Sequence, residues 1–226
     1  MHPLVDTNRC VTLVGGGIVQ RADILRALEL APRLVAADGG ANRLHAFGMT
    51  PAQVIGDLDS LEPSLRAQLG ARVVHVADQD STDFDKALRL IDAPLVIGLG
   101  FDGARLDHTL AAMSSLIRHG RARVVLLCAD DICFLAPPQI TLDLVADARV
   151  SLFPMARVTG RSQGLCWPID GLEFAPDGVI GTSNHALQGQ VELAFDGPGM
   201  LVLLERQWLG QVAARLARGP DWPPPA

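Results

Sequence analysis

The chain has 226 residues, 49% of them apolar and 19% charged, which suits one large domain or two small ones with a real core and excludes a disordered segment. A formal charge of −6 at pH 7 argues against broad binding to nucleic acid or to an anionic membrane. No stretch approaches the ~18 apolar residues of a membrane span, no basic region followed by an apolar run opens the chain, and Cys10, Cys128, Cys133 and Cys166 form no C-x-x-C pair, so a cytoplasmic protein with reduced thiols is expected.

The chain begins with alternating short β-branched runs and amphipathic stretches. Residues 11–14 read as a strand, Gly15-Gly16-Gly17 as a turn, and 22–30 as a helix. Residues 34–37 are a second strand and 41–47 a short helix. Further strands are expected over 53–55, 73–76, 95–97 and 124–128, with helices over 63–69, 82–91 and 106–119. Such alternation predicts a mostly parallel sheet with helices on both faces.

After Pro137-Pro138 the texture changes. Residues 142–144, 149–153, 157–159, 191–195 and 200–204 read as short strands separated by Gly, Pro, Asp and Asn, which predicts a small antiparallel β-sandwich or barrel. Trp208, Val212 and Leu216 fall at four-residue spacing and predict one terminal amphipathic helix. The expected division is therefore an α/β domain over 1–136, a β-sandwich over 139–206, and a terminal helix with a fraying proline-rich tail over 207–226.

Gly15-Gly16-Gly17 does not complete a dinucleotide fingerprint, because Gln20 stands where the last glycine is needed. A backbone turn facing a phosphate and a purely structural turn both remain open. Gly56-Asp57-Leu58-Asp59-Ser60 is more informative. It follows a strand, at the carboxyl edge where open α/β folds hold ligands, and alternate residues of an extended segment point the same way. Asp57 and Asp59 can thus turn towards one hard cation, and Mg²⁺ favours one or two carboxylates plus substrate phosphates.

Asp38, Asp83 and Asp107 fall after or between the other strands of the same half. If the sheet is parallel, their loops open on one edge, where unneutralised carboxylates repel by up to ~4 kcal/mol per close pair. A bound Mg²⁺ relieves that repulsion. Thr82 and Asp85 also match a helix-capping pair. Arg105 either clamps a phosphate oxygen or pairs with Asp102 or Asp107. His108 reads as a helix-end residue rather than a base. In the second half, Trp167 beside Pro168 is either a stacking platform for a flat, cationic ring or a core tryptophan.

Together the motifs Asp38-Gly-Gly-Ala-Asn42, Gly56-Asp-Leu-Asp-Ser60, Gln79-Asp-Ser-Thr-Asp-Phe84 with Lys86-Ala-Leu88, Gly103-Ala-Arg-Leu-Asp-His108, Gly164-Leu-Cys-Trp-Pro168 and Ser183-Asn184 resemble, in order, those of the thiamine pyrophosphokinase family. The resemblance implies a Rossmann-like α/β domain followed by a β-sandwich, assembled as a homodimer with sites at the subunit interface. It also implies transfer of pyrophosphate from ATP to the hydroxyethyl group of thiamine, giving thiamine diphosphate and AMP. By the same resemblance Asp57, Asp59 and Asp83 are the Mg²⁺ carboxylates, with Asp107 joining them in catalysis. Asp38, Gln79, Thr82, Arg105 and Asp107 line the nucleotide and phosphates. Trp167 stacks on thiamine, with Ser183 and Asn184 bonding its pyrimidine. Gly103-Ala104 departs from the Gly-Gly usual before Arg-Leu-Asp-His, and the segment from about residue 207 on lies outside the match. Alternatives are a pyrophosphokinase acting on a pterin alcohol and a non-catalytic thiamine or nucleotide sensor. A D-x-D-x-[TV] phosphatase is disfavoured by Leu61 at the fifth position.

Overall fold

The computed structural model describes residues 5–6, 8–78, 80–103 and 105–222. They divide into two compact units: the described residues up to Ser115 with Leu126–Ala129, and Leu116–Val125 with the described residues from Asp130 on.

The first unit is built from β1 (Val5–Asp6), β2 (Val11–Val14), α1 (Arg21–Leu30), β3 (Arg33–Ala37), α2 (Gly40–Ala46), β4 (Gln53–Gly56), α3 (Pro63–Leu69), β5 (Val73–His75), α4 (Asp83–Leu90), β6 (Ile91–Asp92), β7 (Val96–Leu99) and most of α5 (Leu106–Arg118). The strand β8 (Val124–Leu127) follows at its boundary. Strands run parallel in the order β7-β2-β3-β4-β5, and β1 pairs separately with β6. Every residue of β2 and β7 is buried, so β7 is a continuous apolar run and β2 is broken only by Thr12, whose hydroxyl donates to the Ala31 carbonyl. Local chemistry starts the helices: Pro63 supplies a preset first turn for α3, and Thr82 and Asp85 form a reciprocal capping box on α4.

This order puts the site where it is. From β2 the chain moves outward through β3 and β4 to β5, then returns to lay β7 on the other flank of β2. The segments leaving β2, β3, β4 and β7 therefore emerge at one edge, around a topological switch point. Gly40 lets α2 approach β2 there, since a Cβ at this position would lie 1.9 Å from the Val14 carbonyl oxygen.

The second unit contains β9 (Asp131–Leu135), β10 (Gln139–Leu144), β11 (Arg149–Pro154), β12 (Val158–Gln163), β13 (Glu173–Phe174), β14 (Gly181–His185), β15 (Gly189–Phe195), β16 (Met200–Glu205) and α6 (Leu209–Leu216). Strands β14-β11-β16-β9 and β10-β15-β12-β13 form two antiparallel arrays. Buried Ile140, Leu142 and Leu144 on β10 oppose buried Leu193, Val191 and the end of β15 at Gly189, the period-two pattern of a half-buried strand.

Two boundaries differ from the sequence expectation. Pro137-Pro138 joins β9 to β10 inside the second unit, because β9 pairs with β16 from Leu135↔Leu201 to Asp131↔Glu205; the unit's longer segment begins at Asp130. The run 132–135 is short and apolar, so its period does not reveal which sheet it joins. The terminal segment is also part of this unit as far as Trp222. Helix α6 buries Leu209, Val212, Ala213 and Leu216. Arg123 donates to the Asp221 carboxylate and to the Ala217 and Gly219 carbonyls. The nearly buried Trp222 indole donates to the Ala136 carbonyl at 2.8 Å. The expected fraying of Pro223-Pro224-Pro225 lies outside the described residues. Trp222→Ala removes both a buried ring and that hydrogen bond, and is expected to lower unfolding free energy by about 3 kcal/mol in urea titration.

Candidate functional site

The Gly-Asp-Leu-Asp-Ser segment is a turn rather than an extension of β4. Leu58 sits at φ 69° with its side chain buried, so the apolar residue anchors the loop and leaves Asp57 lining the cleft and Asp59 exposed. The Asp59 amide donates to Asp57 Oδ1 at 3.4 Å, and the Ser60 hydroxyl donates to Asp59 Oδ1 at 2.9 Å. Convergence of Asp57 and Asp59 thus comes from a left-handed turn, not from strand alternation. Gly56 allows the close packing beneath it: a Cβ there would meet the Asp38 Cβ at 2.7 Å and Asp83 Oδ1 at 3.1 Å.

Asp38 ends β3 with φ 39° and is 2% exposed. Its Oδ2 accepts the Ser60 amide at 3.0 Å. Its Oδ1 is buried and has no hydrogen-bond partner among the described residues. Asp38, Asp57 and Asp59 each bring one carboxylate oxygen to within 4.8 Å of the others. Burial first, then the charges of Asp83, Asp59 and Asp57, push the Asp38 carboxyl up to about 6 against the Ser60 amide. An orphaned buried oxygen among converging carboxylates fits a hard divalent cation, which takes carboxylate oxygens and leaves its remaining positions to water and phosphate.

Asp83, the first residue of α4, lies beside this cluster and is bonded to Lys86. The Lys86 ammonium donates to Asp57 Oδ2 at 2.6 Å and to Asp83 Oδ1 at 3.2 Å, and its side chain is 2% exposed. Burial pulls the Lys86 pKa down, but its two carboxylates outweigh that and raise it above the ordinary value. The hydrogen bond from Lys86 lowers the Asp57 pKa, while burial raises that of Asp83 despite the same partner. Sequence reading did not single out Lys86 as a site residue. Two signals were available: it is the only lysine in a chain whose other strong bases are arginines, and Lys86-Ala-Leu88 is among the motifs that carry the family resemblance.

The loop before α4 is tied down by Asp78, which accepts the Asp80 amide, the Ser81 hydroxyl and the Arg89 guanidinium. Gln79 lies outside the described residues. The Thr82 hydroxyl is committed to the cap, donating to Asp85 Oδ2 at 2.7 Å. Arg105 makes a two-pronged contact with Asp107, at 3.2 and 2.6 Å, with both side chains about two-thirds exposed. Of the two readings of Arg105, this geometry is the ion pair. His108 is exposed in the first turn of α5.

A cavity of about 780 Å³ lies within the first unit, lined by the Gly15–Gly17 turn, Asp38, Asp57, Asp83, Lys86, Arg43, Arg105 and the ring of Phe101. Its volume suits a nucleotide-sized ligand. Phe101 packs on Phe84 with centroids 4.2 Å apart, and both line the cleft, giving it an apolar stretch of wall.

In the second unit the ring of Trp167 is 58% exposed, so it is not a core tryptophan. Its backbone is clamped by Asn184, whose side-chain amide donates to the Trp167 carbonyl at 2.7 Å and accepts the Trp167 amide at 3.2 Å. His185 packs edge-on against the indole at 5.0 Å. Asn184 is buried and spends its polar atoms on the Trp167 and His185 backbone. Ser183, at φ 62°, is exposed and donates its amide to the Ser151 hydroxyl.

An open parallel sheet whose carboxyl edge gathers acidic groups, one buried ammonium and a nucleotide-sized cleft defines a phosphate-handling α/β enzyme. Residues 24–126 match the family model described as thiamin pyrophosphokinase, catalytic domain. Thiamin pyrophosphokinase 1 of Caenorhabditis elegans is 27% identical over 179 residues, 70% of this chain and 73% of that protein. A crystal structure of a protein from Lactobacillus plantarum has a TM-score of 0.72 at 26% identity, with 88% of this chain and 99% of that one covered. Thiamin pyrophosphokinase from Candida albicans has a TM-score of 0.73 at 16% identity, with 88% and 89% covered. The catalytic-domain match thus spans residues 24–126, and the fold is that of thiamin pyrophosphokinases of solved structure.

The orphaned oxygen of Asp38 makes a direct prediction. With a carboxyl held up at about 6, ionising Asp38 costs the metal-free native state stability; the cost is absent below the ordinary carboxylate pKa and complete above pH 6. At pH 7.5 in chelator, Asp38→Asn should therefore raise unfolding free energy by about 2 kcal/mol. The same variant should lose most of the thermal stabilisation that millimolar Mg²⁺ gives the parent protein.

Proposed function

We propose that the chain is a Mg²⁺-dependent thiamine diphosphokinase, transferring the β,γ-pyrophosphate of ATP to the primary alcohol of thiamine with release of AMP. The observation that carries this reading is the convergence of Asp38, Asp57 and Asp59, with one buried carboxylate oxygen unpartnered, at the mouth of a nucleotide-sized cleft. The family match supports pyrophosphate as the group transferred and thiamine as its acceptor.

In this reading the triphosphate lies in the first unit's cavity, with Arg43 and the Gly15–Gly17 turn along it; the Gly15 and Gly17 amides are already spent on the Leu99 and Gly100 carbonyls. Asp57, Asp59 and Asp38 would hold Mg²⁺, with Asp83 the next carboxylate within reach. The ion supplies charge neutralisation of the phosphate oxygens. The alcohol oxygen of thiamine bonds to the β-phosphorus, the bond from that phosphorus to the α,β-bridging oxygen breaks, and AMP takes that electron pair. The alcohol proton passes to a carboxylate of the acidic edge. Because little of this is covalent work by the protein, positioning and charge placement provide most of the catalysis.

Trp167, held out of the second unit by Asn184, offers the face on which the cationic thiamine ring system stacks. The exposed Ser183 hydroxyl is free to bond the pyrimidine, and Asn184 supports it from beneath through Trp167. A homodimer with sites at the subunit interface and a cytoplasmic location belong to the same proposal. Among the described residues no helix is long and apolar enough to cross a membrane.

Incubation with ATP, Mg²⁺ and thiamine should yield AMP and thiamine diphosphate in equal amounts. Asp57→Asn and Asp59→Asn should each reduce turnover by about 100-fold or more while leaving the circular dichroism spectrum intact. AMP formed with a hydroxymethylpterin but not with thiamine would replace the acceptor. ADP as product would replace the reaction, and near-normal turnover by both variants would remove the metal assignment.

A further inference from the structure

Lys86 is not among the residues proposed to contact thiamine, nor among the three carboxylates that would hold the ion. Its side chain is nevertheless only 2% exposed, and it is wedged between two of the acidic groups. A buried ammonium is held in place only by well-made ion pairs, and removing either side strands a charge in low dielectric. Here the pairing is unequal. Asp57 gives Lys86 its Oδ2 at 2.6 Å and keeps Oδ1 turned to the Asp59 amide, on the side of the cation cluster. Asp83 gives its Oδ1 at 3.2 Å.

We propose that Lys86 is a positioning residue: an internal cation that holds Asp57 and Asp83 in the metal-free enzyme and, by occupying their oxygens and repelling a second positive charge, keeps the site weak for free divalent ions. Metal then enters most favourably together with the nucleotide, whose phosphates supply the negative charge that the ammonium offsets. Lys86 thus couples metal and triphosphate binding without itself being part of the reacting group. The chemistry behind the coupling is simple. An ammonium and a dication sharing one carboxylate repel each other strongly at the short distances and reduced dielectric of a cleft, and a polyanion placed beside both relieves that repulsion.

The inference rests on the proposed cation site but not on thiamine or on turnover. Its test is Mn²⁺ binding to the nucleotide-free protein, followed by calorimetry and by the thermal shift that Mn²⁺ produces. The parent protein should bind free Mn²⁺ weakly. Lys86→Met should bind it at least about tenfold more tightly and gain more thermal stability from it, because the ion takes over the role of the lost ammonium. Lys86→Arg, which keeps the charge, should stay close to the parent. If Lys86→Met is unfolded in chelator, saturating Mn²⁺ should restore its fold. Mn²⁺ affinity unchanged or weakened in a folded Lys86→Met, or a Lys86→Met that stays unfolded at saturating Mn²⁺, would overturn the inference alone. A parent protein that binds no Mn²⁺, with or without ATP, would sink the proposed function as well.

Discussion

One electrostatic constraint organises the molecule: Asp38, Asp57, Asp59 and Asp83 are crowded at one sheet edge against a single buried ammonium. Four carboxylates so close are unfavourable in isolation, and the fold supports them only because each is over-determined by its surroundings. Asp38 is fixed by the end of β3 and by the Ser60 amide, Asp57 by Lys86, Asp59 by Ser60, and Asp83 by the start of α4. Among the described residues none partners the inner oxygen of Asp38. That vacancy in the hydrogen bonding, with the raised pKa that accompanies it, is the cost in stability of a site arranged to receive positive charge.

The sheet topology makes such crowding possible. Parallel strands deliver successive loops to the same edge, and the reversal of strand order at β2 opens a crevice between them. Small residues then permit approaches that any Cβ would forbid, at Gly40 against β2 and at Gly56 against Asp38. Left-handed turns at Asp38 and Leu58 aim the carboxylates inward. Conformations of this kind cost energy in non-glycine residues and persist where the surroundings hold them. Both lie in the acidic loops themselves.

Much of the fold was legible in the sequence because its signals are local. The buried runs of β2 and β7, the capping pair Thr82–Asp85 and the four-residue spacing in α6 each carry their own period or chemistry. The strand Asp131–Leu135 was not legible, since a short apolar run does not name the strand beside it. In the site, the acidic residues were visible by their spacing after strands. Their division was not: Asp38 joins Asp57 and Asp59 in one carboxylate cluster, while Asp83 shares Lys86 with Asp57, and both facts depend on side-chain contacts between segments about 20 to 30 residues apart. Arg105 and Thr82 carry the same lesson from the other side, each committed to a near neighbour in sequence. Asn184 likewise turns its amide to the backbone under Trp167 rather than outward.

The account stands or falls on where a divalent ion sits. Crystals of the protein grown with Mn²⁺ and a non-hydrolysable ATP analogue, measured at the manganese absorption edge, would locate it directly. The predicted result is an anomalous peak within about 2.2 Å of carboxylate oxygens from Asp57, Asp59 and Asp38, with the analogue's phosphates completing the shell. A well-ordered analogue whose metal lies away from these three carboxylates, or no metal at the acidic edge at all, would contradict it.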